Sequence, residues 1–202
     1  RDARISRIYE GTNEINRMLS VGMMIKKAMK GHVDLLGPAN EVKEELTGIP
    51  SFETPDYSAP LSEEKAMIKK MKKTFLMVAG SAMQKYGQEI ENHQELLMAS
   101  ADILMEIYMA ESAILRAQKN VEKTNEEEAK YQVAMAQLYL YYAVEKVNEK
   151  AKKGIISFAE GDEQKMMLMG LKRYTKYDNY PNIIALQELV AKKVVDENTY
   201  PF

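Results

Sequence analysis

Glu10, Gly11, Thr12, Asn13 and Glu14 form one unbroken run inside RIYEGTNEINR, and their types and order could do chemistry. A carboxylate stands beside a residue with no side chain, which leaves room for a ligand to approach the backbone. Thr12 follows as a candidate N-cap, with Asn13 and Glu14 at the opening of the helix it would start. At such an opening, unpaired N–H groups and the helix dipole favour a phosphate or another anion. Plainer readings fit the same residues. Glu10 can be an exposed acid before a helix, and Thr12 can be a cap and nothing else.

Elsewhere the chemical inventory is thin. The chain has no cysteine, which excludes disulfides, thiolate metal sites and cysteine nucleophiles. His32 and His93 are its two histidines and fall on different segments, so no metal site is expected. Lys and Arg total 28 against 30 Asp and Glu, a formal net charge of -2. A nucleic-acid binder would show a basic excess, so no nucleic-acid partner is expected. No apolar run approaches the length of a membrane span. A signal peptide is absent, and a first residue of Arg1 rather than methionine reads as part of a longer protein.

The elements that must position the run are helices. Hydrophobic residues make up 46% of the 202, charged residues 29%, and the chain has only 10 Gly and 6 Pro. Leu, Met, Ala, Glu and Lys dominate, all good helix formers. Ile15, Met18, Leu19, Gly22, Met23, Ile25 and Met29 recur at helical spacing, which predicts a helix over 12–31 ending in lysines and Gly31. Residues 32–61 carry four prolines and two glycines without a period. They read as a linker with one turn of helix near 41–46.

Beyond it, four helices are predicted over 62–91, 93–121, 125–153 and 162–176, with a last short one over 181–195. Ser62, an Asn92/Glu95 capping box, Thr124 or Asn125, and Asp162 are their expected caps, and Pro181 opens the last. The first is expected to bury Ile68, Met71, Phe75, Ala79, Ala82, Tyr86 and Ile90. The second should bury a stripe of Leu97, Leu104, Tyr108 and Leu115 widened by Ile103, Ile107 and Ile114, and the third Val133, Leu140, Val144 and Val147 flanked by Met135, Leu138 and Tyr142. The fold class is therefore all-α: an up-down bundle of three long helices plus one or two shorter ones, preceded by a helix and a Pro-rich linker.

The segment RIYEGTNEINR, with RDARI upstream, resembles the C-terminal catalytic stretch of the acyl-CoA dehydrogenases. EGTNEINRML is most similar to the very-long-chain type and its bacterial relatives, which carry an additional helical domain after this point. The motif occupies under a tenth of the chain and is extended to residue 31 by the following helix. The resemblance implies that residues 1–31 end a catalytic helical domain, 32–61 connect, and 62–202 form the additional bundle.

It implies an FAD enzyme that oxidises acyl-CoA to trans-2-enoyl-CoA in fatty-acid β-oxidation, with Glu10 as the base for the α-proton. Gly11 would leave room for the thioester, and Thr12, Asn13 and Glu14 would contact FAD. Glu14 ranks below Thr12, because relatives often carry Gln or Asp there and a carboxylate repels a pyrophosphate. The implied partners are an acyl-CoA substrate, an electron-transferring flavoprotein and a second copy in a homodimer. The implied location is cytoplasmic, with peripheral contact at the inner membrane face. The isolated chain is expected to be inactive.

The bundle also has a rival reading, as a helical oligomerisation or membrane-docking module with no catalytic role of its own. Lys65, Lys69, Lys72 and Lys73 lie close together in KAMIKKMKKTF. A solvated face is the plain reading, and a landing strip worth about 1 kcal/mol per lysine at an anionic membrane is the sharper one. Fifteen methionines, MMLM at 166–169 among them, suit an irregular core or an adaptable groove. Tyr139, Tyr141 and Tyr142 cover more than one helix face, so at least one is expected to meet a neighbour.

Overall fold

Two long antiparallel helices, α5 (Gln94–Lys123) and α6 (Lys130–Phe158), make the most extensive contact between any two elements. The computed structural model describes residues 2–48, 55–199 and 201–202, and the regular elements among them are all helical. Small residues are buried along both long helices: Ala101, Ala110 and Ala117 in one, Ala136, Ala143 and Ala151 in the other. They let the backbones approach, while Ile103, Ile107, Ile114, Leu140, Val144, Val147 and Ile155 fill the layers between. Glu95 pairs with Lys153 at 2.7 Å and Glu106 with Lys146 at 2.9 Å along the outside. Surface pairs of this kind add little stability.

The other helices build on that pair. α4 (Ser62–Tyr86) buries Met67, Met71, Phe75, Val78 and Ala82. It runs parallel to α6: Gln137 Nε2 donates to Glu64 at 2.6 Å near one end, and Lys85 donates to the Phe158 carbonyl at the other. α7 (Gly161–Tyr174) returns along α4 and adds Met167, Leu171 and Tyr174 to the core. α8 (Ile183–Glu197) buries no residue and rests on α6, where Gln187 donates to the Tyr142 hydroxyl at 2.7 Å. The expected all-α up-down bundle is the one that forms.

Several helix ends differ from expectation. Ser62 opens α4 as a helical residue, after Leu61 at φ 59°, and its buried hydroxyl has no partner among the described residues. α4 stops at Tyr86, and a 3-10 turn over Gly87–Asn92 carries the chain into α5. Asn92 and Glu95 therefore form no capping box, and Glu95 turns to Lys153. Asn125 caps only a turn, its Oδ1 accepting from the Glu128 N–H at 2.9 Å, so α6 starts and ends five residues late. Glu160, not Asp162, precedes α7. Asn182 caps α8 through the Ala185 N–H at 3.1 Å, with Pro181 just outside.

The inner face of α5 also differs. Leu97 is buried, but Tyr108 and Leu115 are 70% and 54% exposed. Ile103, Ile107 and Ile114 are buried as expected, and Leu96, Ser100, Ala110 and Ala117 make up the rest of the inner face.

The segment expected as a linker holds more structure than one turn. Part of it, 49–54, lies outside the described residues. Before that, α3 (Leu36–Thr47) is a full helix packed on α4 and α7. Pro38 falls in its first turn, where a missing N–H does no harm, and Asp34 Oδ1 accepts from the Gly37 N–H at 2.9 Å. Glu45 bridges Lys73 at 2.5 Å and Arg173 at 3.1 Å. Two glycines admit α3: a Cβ on Gly80 would lie 2.7 Å from the Ala39 Cβ, and one on Gly170 would lie 2.4 Å from a Leu46 methyl. After the gap, the Tyr57 hydroxyl donates to Asp178, which ties 55–61 to the α7–α8 loop.

The two glycines should respond differently to alanine. Ala39 Cβ is fixed to a helix backbone, so overpacking of about 1–3 kcal/mol at Gly80 outweighs a propensity gain of about 1 kcal/mol. The Leu46 methyl can rotate away. Denaturant unfolding should find Gly80→Ala less stable than Gly170→Ala by about 1 kcal/mol or more. Equal stabilities would mean that α3 does not press on α4.

Candidate functional site

The run Glu10 to Glu14 bridges a one-turn helix, α1 (Asp2–Ile5), and the longer α2 (Asn13–Met29). α2 starts where expected, with Thr12 Oγ1 accepting from the Ile15 N–H at 3.3 Å. Val21 and Ile25 are its buried residues, and it lies along α5. Arg17 Nε meets Asp102 Oδ1 at 2.6 Å, and Lys26 meets Glu91 at 3.0 Å. These contacts seat the site on the bundle.

Between α1 and α2 the backbone makes a small closed loop. The Asn13 N–H donates to the Arg7 carbonyl at 3.1 Å. Within the loop, Glu10 has φ 58° and Gly11 has φ 92°. Glycine enters that region freely, whereas a residue with a Cβ loses about 1–2 kcal/mol. A Cβ on Gly11 would also lie 2.6 Å from Asn16 Oδ1. Asn16 is held there because its Nδ2 donates to the Gly11 carbonyl at 2.9 Å. Gly11 is therefore required by both conformation and space, and Glu10 is held in a strained backbone state of the kind found at functional sites.

Glu10 and Glu14 are exposed in this chain, while Gly11, Thr12 and Asn13 are half-buried. The Glu14 carboxyl is held below the usual carboxylate range, first by its own backbone N–H and then by the Thr12 hydroxyl. Its charge thus sits at the helix opening, where an anion would otherwise bind. The Asn13 and Ile15 N–H groups are also in use, on Arg7 and Thr12. With the Thr12 hydroxyl turned to Glu14, the neutral donor that remains is the Asn13 side-chain amide, which has no hydrogen bond among the described residues. Asn13 lines a cleft of about 280 Å³ together with Arg17, Asp102, Lys150 and Lys153.

The other residues singled out in the sequence fall elsewhere. His93 stacks on Tyr86 with ring centroids 3.7 Å apart. Lys72 and Lys73 are occupied by Glu111 at 2.6 Å and Glu45 at 2.5 Å. Met67, Met71, Met77 and Met167 are core, while Met169 is 74% exposed. Among the described residues, no helix is long and apolar enough to cross a membrane. Sequence reasoning passed over Asn16, Arg17 and Asp102. The Asn16 contact is local, but the partner of Arg17 lies 85 residues away, and no spacing pattern could have indicated it.

Residues 70–173 match the family described as acyl-CoA dehydrogenase, C-terminal domain. The match takes in more than half of the chain, from α4 to α7, and the chain belongs to that family. It is also 37% identical over 200 residues, or 99% of its length, to a probable acyl-CoA dehydrogenase of Bacillus subtilis (strain 168). The fold superimposes with a TM-score of 0.92 and 37% identity on the acyl-CoA dehydrogenase from Bacillus anthracis, whose crystal structure is a complex with FAD. That likeness covers the whole of this chain, Glu10 to Glu14 included. The chain spans about a third of each relative, 33% of the first and 34% of the second.

Thr12→Ala should remove the cap of α2 at a cost of about 1 kcal/mol. Hydrogen exchange should quicken at amides 13–17 and stay unchanged along α5 and α6. Equal acceleration throughout would mean that the cap holds more than its own helix.

Proposed function

We propose that the chain is the C-terminal third of an FAD-dependent acyl-CoA dehydrogenase, which converts acyl-CoA to trans-2-enoyl-CoA in fatty-acid β-oxidation. The observation that carries this is the positive-φ turn at Glu10–Gly11, within a chain alike along its full length to an FAD-complexed enzyme of that name. Residues 1–31 end the catalytic helical domain, 32–61 connect, and 62–202 form the additional bundle. The isolated chain lacks most of the site and is inactive.

Glu10 is the base. Its carboxylate takes the proton from the acyl α-carbon, and the electron pair left there forms the new double bond as the β-hydrogen departs with its own pair. Bound FAD supplies the acceptor for that hydride. The Glu10 backbone N–H donates to the thioester carbonyl, which makes the α-proton more acidic. Gly11, without a side chain, leaves the approach open. Such a base works only with water kept off it. Because Glu10 is exposed in this chain, the cover comes from the rest of the protein.

The donor set suits a flavin cofactor. Asn13 offers a free amide and Thr12 a hydroxyl shared with Glu14, and they are the proposed FAD contacts. Glu14, with its charge committed to the helix opening, faces the ribose rather than the pyrophosphate. The enzyme works as a homodimer in the cytoplasm and passes its electrons to an electron-transferring flavoprotein.

One observation favours a second role for the bundle, as an oligomerisation or membrane-docking surface. Met105, Tyr108, Met109 and Leu115 are 41–70% exposed along the outer face of α5. The pairing of Lys72 and Lys73 with acids leaves less positive charge for a membrane, so a protein surface fits better. Flotation of the whole protein with anionic vesicles at low salt tests the membrane version, and recovery only in the pellet removes it.

In the whole flavin-loaded protein, Glu10→Gln should lower α,β-dehydrogenation of a long-chain acyl-CoA by about 10²- to 10⁴-fold, the usual range for a lost general base. Flavin content should not change. Full activity in this variant would refute the assignment of the base.

A further inference from the structure

Arg17 makes two bonds that lead in different directions. Its Nε donates to Asp102 Oδ1 at 2.6 Å, on α5, and an Nη donates to the Asn13 carbonyl at 3.3 Å. Asn13 is also the residue at which the Glu10 loop closes, through its N–H on the Arg7 carbonyl. The peptide groups on both sides of Asn13 are thus held, one by the loop and one by Arg17, which Asp102 anchors to the bundle.

We propose that Asp102 is a positioning residue for the loop that carries Glu10, acting through Arg17 on the Asn13 carbonyl. The proposal rests on the reading of Glu10 as the base. It gives the bundle a part in the reaction that needs neither a membrane nor a second copy.

Arg17 and Asp102 side chains are 32% and 26% exposed, so solvent screens this pair less than the outer ones. The guanidinium is planar and rigid, and fixing its Nε on a carboxylate also aims its Nη groups. Other charges line the same cleft and act on the pair, Lys153 on Asp102 and Glu14 on Arg17, but each has a nearer partner of its own. Lys153 pairs with Glu95 at 2.7 Å, Lys150 with Glu149 at 3.1 Å, and Glu14 is engaged at the helix opening. The Lys72–Glu111 pair between α4 and α5 is equally short at 2.6 Å. It joins two side-chain tips and reaches no backbone carbonyl. That difference supplies the control.

The consequence is kinetic. Proton abstraction depends on where the Glu10 oxygens stand relative to the α-carbon, whereas substrate binding depends on many contacts elsewhere. In the whole flavin-loaded protein, Asp102→Ala should lower kcat about tenfold to a hundredfold, the range expected for a small misplacement of a reacting group. KM should move by less than about threefold, as for an interaction made only in the transition state. The primary isotope effect with α-deuterated acyl-CoA should rise, because proton removal becomes more rate-limiting. Asp102→Asn keeps an acceptor oxygen and should recover part of the loss. Glu111→Ala should leave kcat within about twofold, as an outer pair should.

If Asp102→Ala folds poorly, the cycle of Asp102→Asn with Arg17→Lys decides: coupled losses support the link and additive ones overturn it. Unchanged kcat and isotope effect in a folded Asp102→Ala protein, with Glu10→Gln inactive, would overturn the proposal and leave the base in place. An active Glu10→Gln would instead remove the reading beneath it.

Discussion

Everything in this chain is placed against the close seam between α5 and α6. Buried alanines on both helices let the two backbones come near, and branched residues such as Ile103, Val144 and Val147 fill the space between them. Such interiors are packed as densely as crystals, so an added methyl group has nowhere to go. The seam fixes the direction of each long helix. α4 and α7 then close one side, α8 covers α6, and α2 and α3 are added where glycine or small side chains permit.

The same seam explains where the sequence misleads. On α6 the inward residues Leu140, Val144 and Val147 are large and apolar, and their spacing is easily read. On α5 the inward set includes Ser100, Ala110 and Ala117, which carry a weak hydrophobic signal. Larger residues on the outer face, Tyr108 and Leu115, carry a stronger one and point away from the core. Periodicity finds greasy residues, and a close helix contact is made of small ones. The helix ends mislead for a related reason. Ser62, Asn92 and Asp162 have the right chemistry for caps, but the chain direction needed to join neighbouring helices decides which residue leaves the helix.

The candidate site divides in a similar way. Its identity is legible in a few consecutive residues, because backbone demands at Glu10 and Gly11 and capping at Thr12 are local. α3 was less legible: its first turn contains both Gly37 and Pro38, which argue for a turn, and its helix is held by contact with α4 and α7. The link from Asp102 through Arg17 to Asn13 was not legible at all, since it exists only once α2 lies on α5. Local chemistry can be read in sequence, and long-range positioning has to be seen.

The loop also shows why a catalytic turn needs neighbours. Glu10 at φ 58° loses about 1–2 kcal/mol of backbone energy. Two hydrogen bonds oppose that strain directly, Asn13 to Arg7 and Asn16 to Gly11, each worth about 0.5–1.5 kcal/mol. The sums nearly cancel, so these local bonds alone leave the loop close to balance. Two further influences can tip it. One is the grip of Arg17 on the Asn13 carbonyl within α2, which Asp102 of the bundle anchors. The other is burial under the remainder of the protein, which would strengthen each bond by keeping water away. The dry surroundings that a proton-abstracting carboxylate needs are the same surroundings that would hold its strained backbone in place.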